Sequence, residues 1–152
     1  MNNHLEYAKF DPETGYSVVT IANKYGHFTD VAKVHPNDAP YASEITGCAY
    51  AEHRAMIRCW KHRLKLNAAQ KKIMQDYYNI ISGMANFNPR DPAASKARRV
   101  MHDLDTEREE FKANIANLEK YIKDCDKYRD ELHKIKNPES FVKDLLNKDN
   151  SL

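Results

Sequence analysis

The sequence predicts an α+β protein: a small N-terminal antiparallel β-meander followed by a long antiparallel helical hairpin with coiled-coil-like seams. Three observations lead there. First, the 152 residues hold only four glycines and six prolines, and a chain with so few breakers must contain long helices. Second, β-branched residues concentrate in two early runs, Tyr16–Ala22 and His27–His35, as strands require. Third, two later stretches repeat apolar residues at alternating intervals of four and three, the rhythm of a coiled-coil seam.

The elements follow in order. Asp11-Pro-Glu-Thr-Gly15 is a turn signal, with proline presetting φ and glycine closing the turn, and it pairs residues 4–10 with 16–22. Asn23-Lys-Tyr-Gly26 reads as a hairpin turn in which Gly26 is free to take positive φ, and it pairs the second run with the third. His35 to Ser43 is a loop broken by two prolines. A helix is expected from Ser43 or Thr46 to about Met84, then a polar loop Asn86-Phe-Asn-Pro-Arg-Asp-Pro92. Ser95 is the expected cap of a second helix, which runs to Lys136, ahead of Asn137-Pro138. All of this reads as a single domain, residues 1–152: meander and loop over 1–47, hairpin over 48–136, and a short C-terminal helix and tail over 137–152.

The seams carry a further expectation. In the first helix, Leu66, Gln70, Ile73, Tyr77, Ile80 and Met84 fall on one stripe. In the second, Leu104, Arg108, Phe111, Ile115, Leu118, Ile122, Cys125, Arg129 and Leu132 keep the same spacing. A small sheet and one hairpin cannot bury both stripes along helices of about 57 Å. Self-association is therefore expected, because an uncovered seam is an apolar patch.

Composition excludes several classes. No window approaches the roughly 18 consecutive apolar residues of a membrane-spanning helix, and mean hydropathy is −0.81. Three cysteines, Cys48, Cys59 and Cys125, form no disulfide framework, so a reducing cytoplasm is the expected compartment. The N-terminus, MNNHLEYAKF, lacks the basic and apolar regions of a signal peptide. A net charge of +2 is too small to imply a nucleic-acid-binding domain.

Candidate chemistry is sparse. The seven histidines are scattered, and Cys59-x-x-His62 has no second ligand pair at zinc-finger distance, so neither a metal nor another cofactor is expected. His27-Phe-Thr29 is half of a two-histidine phosphoesterase motif whose other half is missing. Nothing has the frame of a nucleophile elbow or a P-loop, and no catalytic residue is assigned. The basic content is more telling. Residues 1–47 carry a net −3, whereas Arg54, Arg58, Lys61, Arg63, Lys65, Lys71 and Lys72 against Glu52 give residues 48–72 a net +6. Tyr50 and Trp60 stand among those charges, a mixture that suits phosphates and bases as well as a merely solvated helix face.

Two more features stand out. Arg108 lies on the apolar stripe between Leu104 and Phe111, where a charge is costly unless it is paired or ligand-bound; an ion pair with Glu107 or Asp105 of a partner chain is the plain alternative. Phe87-Asn-Pro-Arg-Asp91 places a ring, an amide, a guanidinium and a carboxylate beside a helix N-terminus, which favours phosphate, although the same residues make an ordinary turn.

Lys24-Tyr-Gly-His-Phe-Thr29, His35-Pro-Asn-Asp38 and Gly47-Cys-Ala-Tyr-Ala-Glu-His-Arg-Ala55, followed by the Asn/Asp-bearing loop, resemble small phage and prophage proteins. The layout over residues 5–135 is similar to the first-described class of anti-Thoeris phage proteins. Those are non-enzymatic sponges that sequester a cyclic ADP-ribose isomer made by bacterial TIR enzymes, and some also bind cyclic oligonucleotides. The resemblance implies dimers of helical hairpins with sheet wings that assemble further into hexamers, acting in the host cytoplasm. It also implies a ligand site. Arg54 matches the arginine of the first helix; Asn88 and Asp91 match the loop pair, one residue further apart. Arg108 and Lys112 match the basic pair of the second helix, with lysine in place of arginine. Phe87 is the nearest match to the aromatic, with Tyr78 as the alternative.

Three readings follow: a nucleotide sponge, a protein–protein inhibitor or coiled-coil adaptor, and, less favoured, a nucleic-acid binder. A sponge needs Arg54, Arg108 and the loop on one pocket. An adaptor needs an exposed apolar face. A nucleic-acid binder needs an unbroken basic stripe, which Asp76, Asp103 and Asp105 interrupt.

Overall fold

The computed structural model describes residues 2–33 and 44–133. The order is β1 (His4–Phe10), β2 (Tyr16–Asn23), β3 (Gly26–Lys33), α1 (Glu44–Ser82) and α2 (Pro92–His133). The three strands form an antiparallel meander in the order β1-β2-β3, and the two long helices pack antiparallel: the expected α+β layout. The His35–Ser43 loop, the helix end at Lys136 and the expected C-terminal helix lie outside the described residues.

Both predicted turns form as their residues dictate. Gly15 and Gly26 take φ of 77° and 130°, backbone that a side chain would strain. Asn23 pairs with Gly26 across a two-residue connection, and its Oδ1 accepts the Tyr25 N–H at 2.8 Å. In the first turn the Asp11 carboxylate accepts the Glu13 N–H at 3.0 Å and the Thr14 hydroxyl at 2.9 Å. These two bonds stabilise the charged form and lower the Asp11 pKa, the backbone N–H contributing most. The consequence has a definite sign. A carboxylate depressed by folding contributes stability that is present above its unfolded pKa and is lost as pH falls through the folded value. Amide protection at Glu13 and Gly15, relative to the intrinsic exchange rate, is expected to fall selectively as pH drops through the depressed Asp11 pKa. In Asp11→Asn the same amides should show no such acid step.

The sheet presents one face to α1. Ser17, Val19 and Ile21 alternate along β2 as buried residues, and with Ala32 they meet Ala51 and Ala55. Small residues on α1 let the helix lie close: at Gly47 an added Cβ would strike the Ser17 hydroxyl. Two arginines tie β3 to the same helix. Arg58 Nε donates to Asp30 at 2.7 Å, and Arg54 Nη1 donates to the Val31 carbonyl at 2.9 Å.

The hairpin corrects the expected cap. Asp91, not Ser95, caps α2: its Oδ1 accepts the Ala93 N–H at 2.9 Å, its carbonyl accepts the Ser95 N–H at 2.9 Å, and Pro92 takes the first helical position. α1 ends at Ser82, close to the expected Met84, and Asn86 adopts a φ of 67° in the connection.

The seams also part company. Leu104, Phe111 and Ile115 of the α2 stripe are buried in the hairpin. The α1 stripe is not: Leu66, Ile73, Tyr77, Ile80 and Met84 are all exposed. What α1 shows to α2 is a second stripe, Trp60, Leu64, Asn67, Lys71, Met74, Tyr78 and Ile81, with the same 4–3 spacing and every member at least half-buried. Asn67 is its most buried member. It is 2% exposed, and its Nδ2 donates to the Leu104 carbonyl at 2.9 Å, locking the register of the two helices.

Candidate functional site

The six sequence-predicted ligand residues fall into three places. Arg54 stands beside the sheet, half-buried, its guanidinium donating to Val31. Phe87, Asn88 and Asp91 occupy the hairpin tip. Phe87 packs edge-on against Tyr78 at 6.2 Å between ring centres, and Asn88 Oδ1 accepts the Arg90 N–H at 3.0 Å. With Asp91 engaged as the helix cap, both polar residues of the loop already serve the turn. Arg98, which sequence reading passed over, braces this tip: it donates to the Pro89 carbonyl at 2.6 Å and lies over the Tyr78 ring at 5.8 Å.

Arg108 and Lys112 form the third group, and here the seam reading fails. Arg108 is exposed, and the half-buried residue between Leu104 and Phe111 is Glu107. A straight α-helix drifts against a strict seven-residue repeat, so position 107 comes closer to the seam than 108, and the long guanidinium arm reaches water. Arg108 has no hydrogen-bond or ion-pair partner among the described residues of its own chain. Lys112, one turn on, is exposed and stands 3.5 Å from Glu109. Lys71–Asp105 at 2.5 Å and Lys61–Glu119 at 3.7 Å bracket this pair, which sets Arg108 and Lys112 alongside residues 61–71 of α1. Lys65 lies within that stretch and is exposed.

Helix rise gives the separations. Arg108 lies about 24 Å along α2 from the loop, and Arg54 about 40 Å along α1 from it. The three groups therefore do not converge within one chain. A ligand touching both the loop and Arg108 has to take them from different copies.

A concavity of about 480 Å³ opens elsewhere, lined by Tyr25, Arg63, Phe111, Thr106 and the carboxylates of Asp103, Glu107 and Glu110. Its floor is a stacked cation: Arg63 lies 4.3 Å from the Tyr25 ring centre, 4.7 Å from Trp60 and 4.2 Å from Phe111. Three carboxylates against one guanidinium repel phosphate and favour a cationic group. Sequence reading missed this groove because it joins a β-turn residue to two helices; only the 7-residue step from Asp103 to Glu110 on one helix face hinted at it.

Among the described residues no helix is long and apolar enough to cross a membrane, and no group of three or more histidines, cysteines or carboxylates is placed to hold a metal ion. No protein-family model, curated protein or solved structure matches the chain.

Proposed function

We propose that this chain is a non-enzymatic binding protein that sequesters an anionic nucleotide signal in the host cytoplasm, of the cyclic ADP-ribose isomer class implied by its resemblance to the phage sponges. The observation that carries the reading is Arg108: an exposed guanidinium, without a partner among the described residues, one turn from Lys112 and beside the lysine-bearing stretch 61–71. A planar guanidinium next to lysines holds a phosphate bidentately and needs no catalytic group to do so. The acid-lined groove at Arg63 is the wrong sign for this ligand, whereas Arg108 and Lys65 are exposed cations with no ion pair among the described residues.

Native mass spectrometry with a panel of cyclic ADP-ribose isomers and cyclic oligonucleotides tests the reading. A tight complex is expected, and heat denaturation should release the ligand chemically intact. Arg108→Ala should weaken binding by about 1–2 kcal/mol, roughly tenfold, while leaving the thermal midpoint unchanged, because the side chain holds nothing in the fold. Absence of binding across the panel, or release of a hydrolysed product with more than one turnover per site, overturns the proposal.

A second reading draws on a different observation. The exposed stripe from Leu66 to Met84 is the apolar face that a coiled-coil adaptor or protein inhibitor requires. The two readings divide on whether that stripe serves another protein or a second copy of this chain.

A further inference from the structure

The carboxylates that interrupt the basic residues in the sequence do not share a face with them in the fold. Asp103 lines the groove at Arg63, whereas Asp105, two residues on, pairs with Lys71 on the opposite flank of the hairpin. Two residues turn a helical side chain by about 200°, so the seam lies between them. Asp76 comes one turn after Lys72. The hairpin is therefore divided by charge. Asp103, Glu107 and Glu110 stand on the groove flank, and the other flank is cationic.

The cations form a row on α1. Arg54, Arg58, Lys61, Lys65 and Lys72 follow at intervals of four, three, four and seven, which keeps them within about 60° of one another around the helix. The row is about 27 Å long, and residues 53–75 contain no Asp or Glu. All five are exposed except Arg54, which is half-buried. Ala68 and Ala69 fill the gap before Lys72, and their small side chains let another surface approach the helix. Arg108 and Lys112 run beside the row on α2.

Most of this charge is free to meet an anion. Lys65 and Lys72 have no ion pair among the described residues. Arg54 gives one N–H to the Val31 carbonyl and Arg58 one to Asp30, so most of each guanidinium fork has no acceptor among the described residues. Lys61 and Lys112 are held only by exposed pairs, to Glu119 at 3.7 Å and Glu109 at 3.5 Å, which a phosphate can replace.

We propose that this flank binds the phosphate backbone of double-stranded nucleic acid without reading its sequence. The choice of a duplex follows from what the row lacks. Single strands are held by rings on which the bases stack. Both rings of the stretch are engaged within the fold: Trp60 is tilted on Phe111 at 5.3 Å, and His62 on Phe28 at 5.6 Å. A row of cations without a free ring meets phosphates alone, and a duplex presents phosphates on its outside with the bases turned in. The row matches the length of about eight base pairs. The small net charge of +2 does not oppose this, because Asp103, Glu107 and Glu110 are kept on the far flank. The proposal goes beyond the nucleotide reading: a small nucleotide needs Arg108, whereas a duplex needs the length of the row.

Fluorescence anisotropy of the full chain with a labelled duplex of roughly 20 base pairs, across a salt series, is the test. Binding at about 50 mM salt is expected, equal for two unrelated sequences, and it should fall about 10²–10³-fold by about 200 mM as roughly four to five phosphate contacts release their counterions. A single strand of the same length should bind more weakly. Lys65→Gln and Lys72→Gln should each weaken duplex binding about tenfold and reduce the salt slope by about one, with helical circular dichroism unchanged. Lys120→Gln, at an exposed position on the side of α2 turned from α1, should do neither. Lys72 lies outside the stretch assigned to the nucleotide, so Lys72→Gln should leave capture of a cyclic ADP-ribose isomer unchanged, and either binding can fail without the other. No binding of the duplex at about 50 mM salt overturns the proposal, as does a loss no larger for Lys65→Gln and Lys72→Gln than for Lys120→Gln. Tighter binding of the single strand overturns the assignment to a duplex.

Discussion

Replacing Phe111 with alanine is expected to destabilise the protein by about 3–5 kcal/mol, the largest loss from any single truncation considered. The ring is 3% exposed, at the point where hairpin and sheet meet. It packs tilted against Trp60 at 5.3 Å and supports the Arg63 guanidinium at 4.2 Å. Truncation leaves a cavity that two α-helical backbones cannot close, and it deprives Arg63 of one of its three rings. Urea unfolding followed by circular dichroism should show a lower midpoint at an unchanged slope. The thermal midpoint should fall by roughly 10 °C for a chain of this size. A change below about 1 kcal/mol would mean that Phe111 is not at the junction of α1 and α2.

The second large effect has a sign that only the packing predicts. On helix propensity alone, Gly47→Ala should stabilise α1 by up to about 1 kcal/mol. In the fold, the new methyl would overlap the Ser17 hydroxyl and come within 3.3 Å of Ser17 Cβ, on a strand that cannot retreat without opening the sheet–helix core. Gly47→Ala is therefore expected to cost about 1–3 kcal/mol. Ser17 supplies the control. Its hydroxyl is buried with no hydrogen-bond partner among the described residues, so Ser17→Ala alone should be neutral or slightly stabilising. In the double variant the most severe overlap is gone, and most of the loss should be recovered. The double-mutant cycle, measured by urea denaturation, should show a coupling above 1 kcal/mol; simple additivity would place Gly47 away from Ser17.

Much of the fold was legible because it is local. Asp11-Pro12 with Gly15, and Asn23 with Gly26, specify their turns through φ restrictions and side-chain bonds that span two or three residues. The alternation of Ser17, Val19 and Ile21 specifies which face of β2 is buried. Helix ends were harder: Ser95 and Asp91 are both good caps, and the choice of Asp91 depends on Pro92 fitting the first helical position.

The candidate site was less legible, since periodicity reports that a stripe exists and not what it faces. Asn67 and Lys71 made the true α1 seam look polar, while the purely apolar rhythm of Leu66, Ile73 and Ile80 belongs to the outer face. Arg108 sits one position from Glu107, and a 100° turn separates a seam residue from an exposed one.

By itself, then, the sequence determined the α+β class, the order of the described elements and both strand turns, because each depends on backbone preference and on the period of apolar residues. Only the tertiary structure decided which of two α1 stripes meets α2, that Arg54, Arg108 and the loop stand apart on one chain, and that Tyr25, Arg63 and three carboxylates share one groove. Those outcomes follow from packing two long helices and a sheet at fixed angles, where a rotation of one residue moves a side chain from core to solvent.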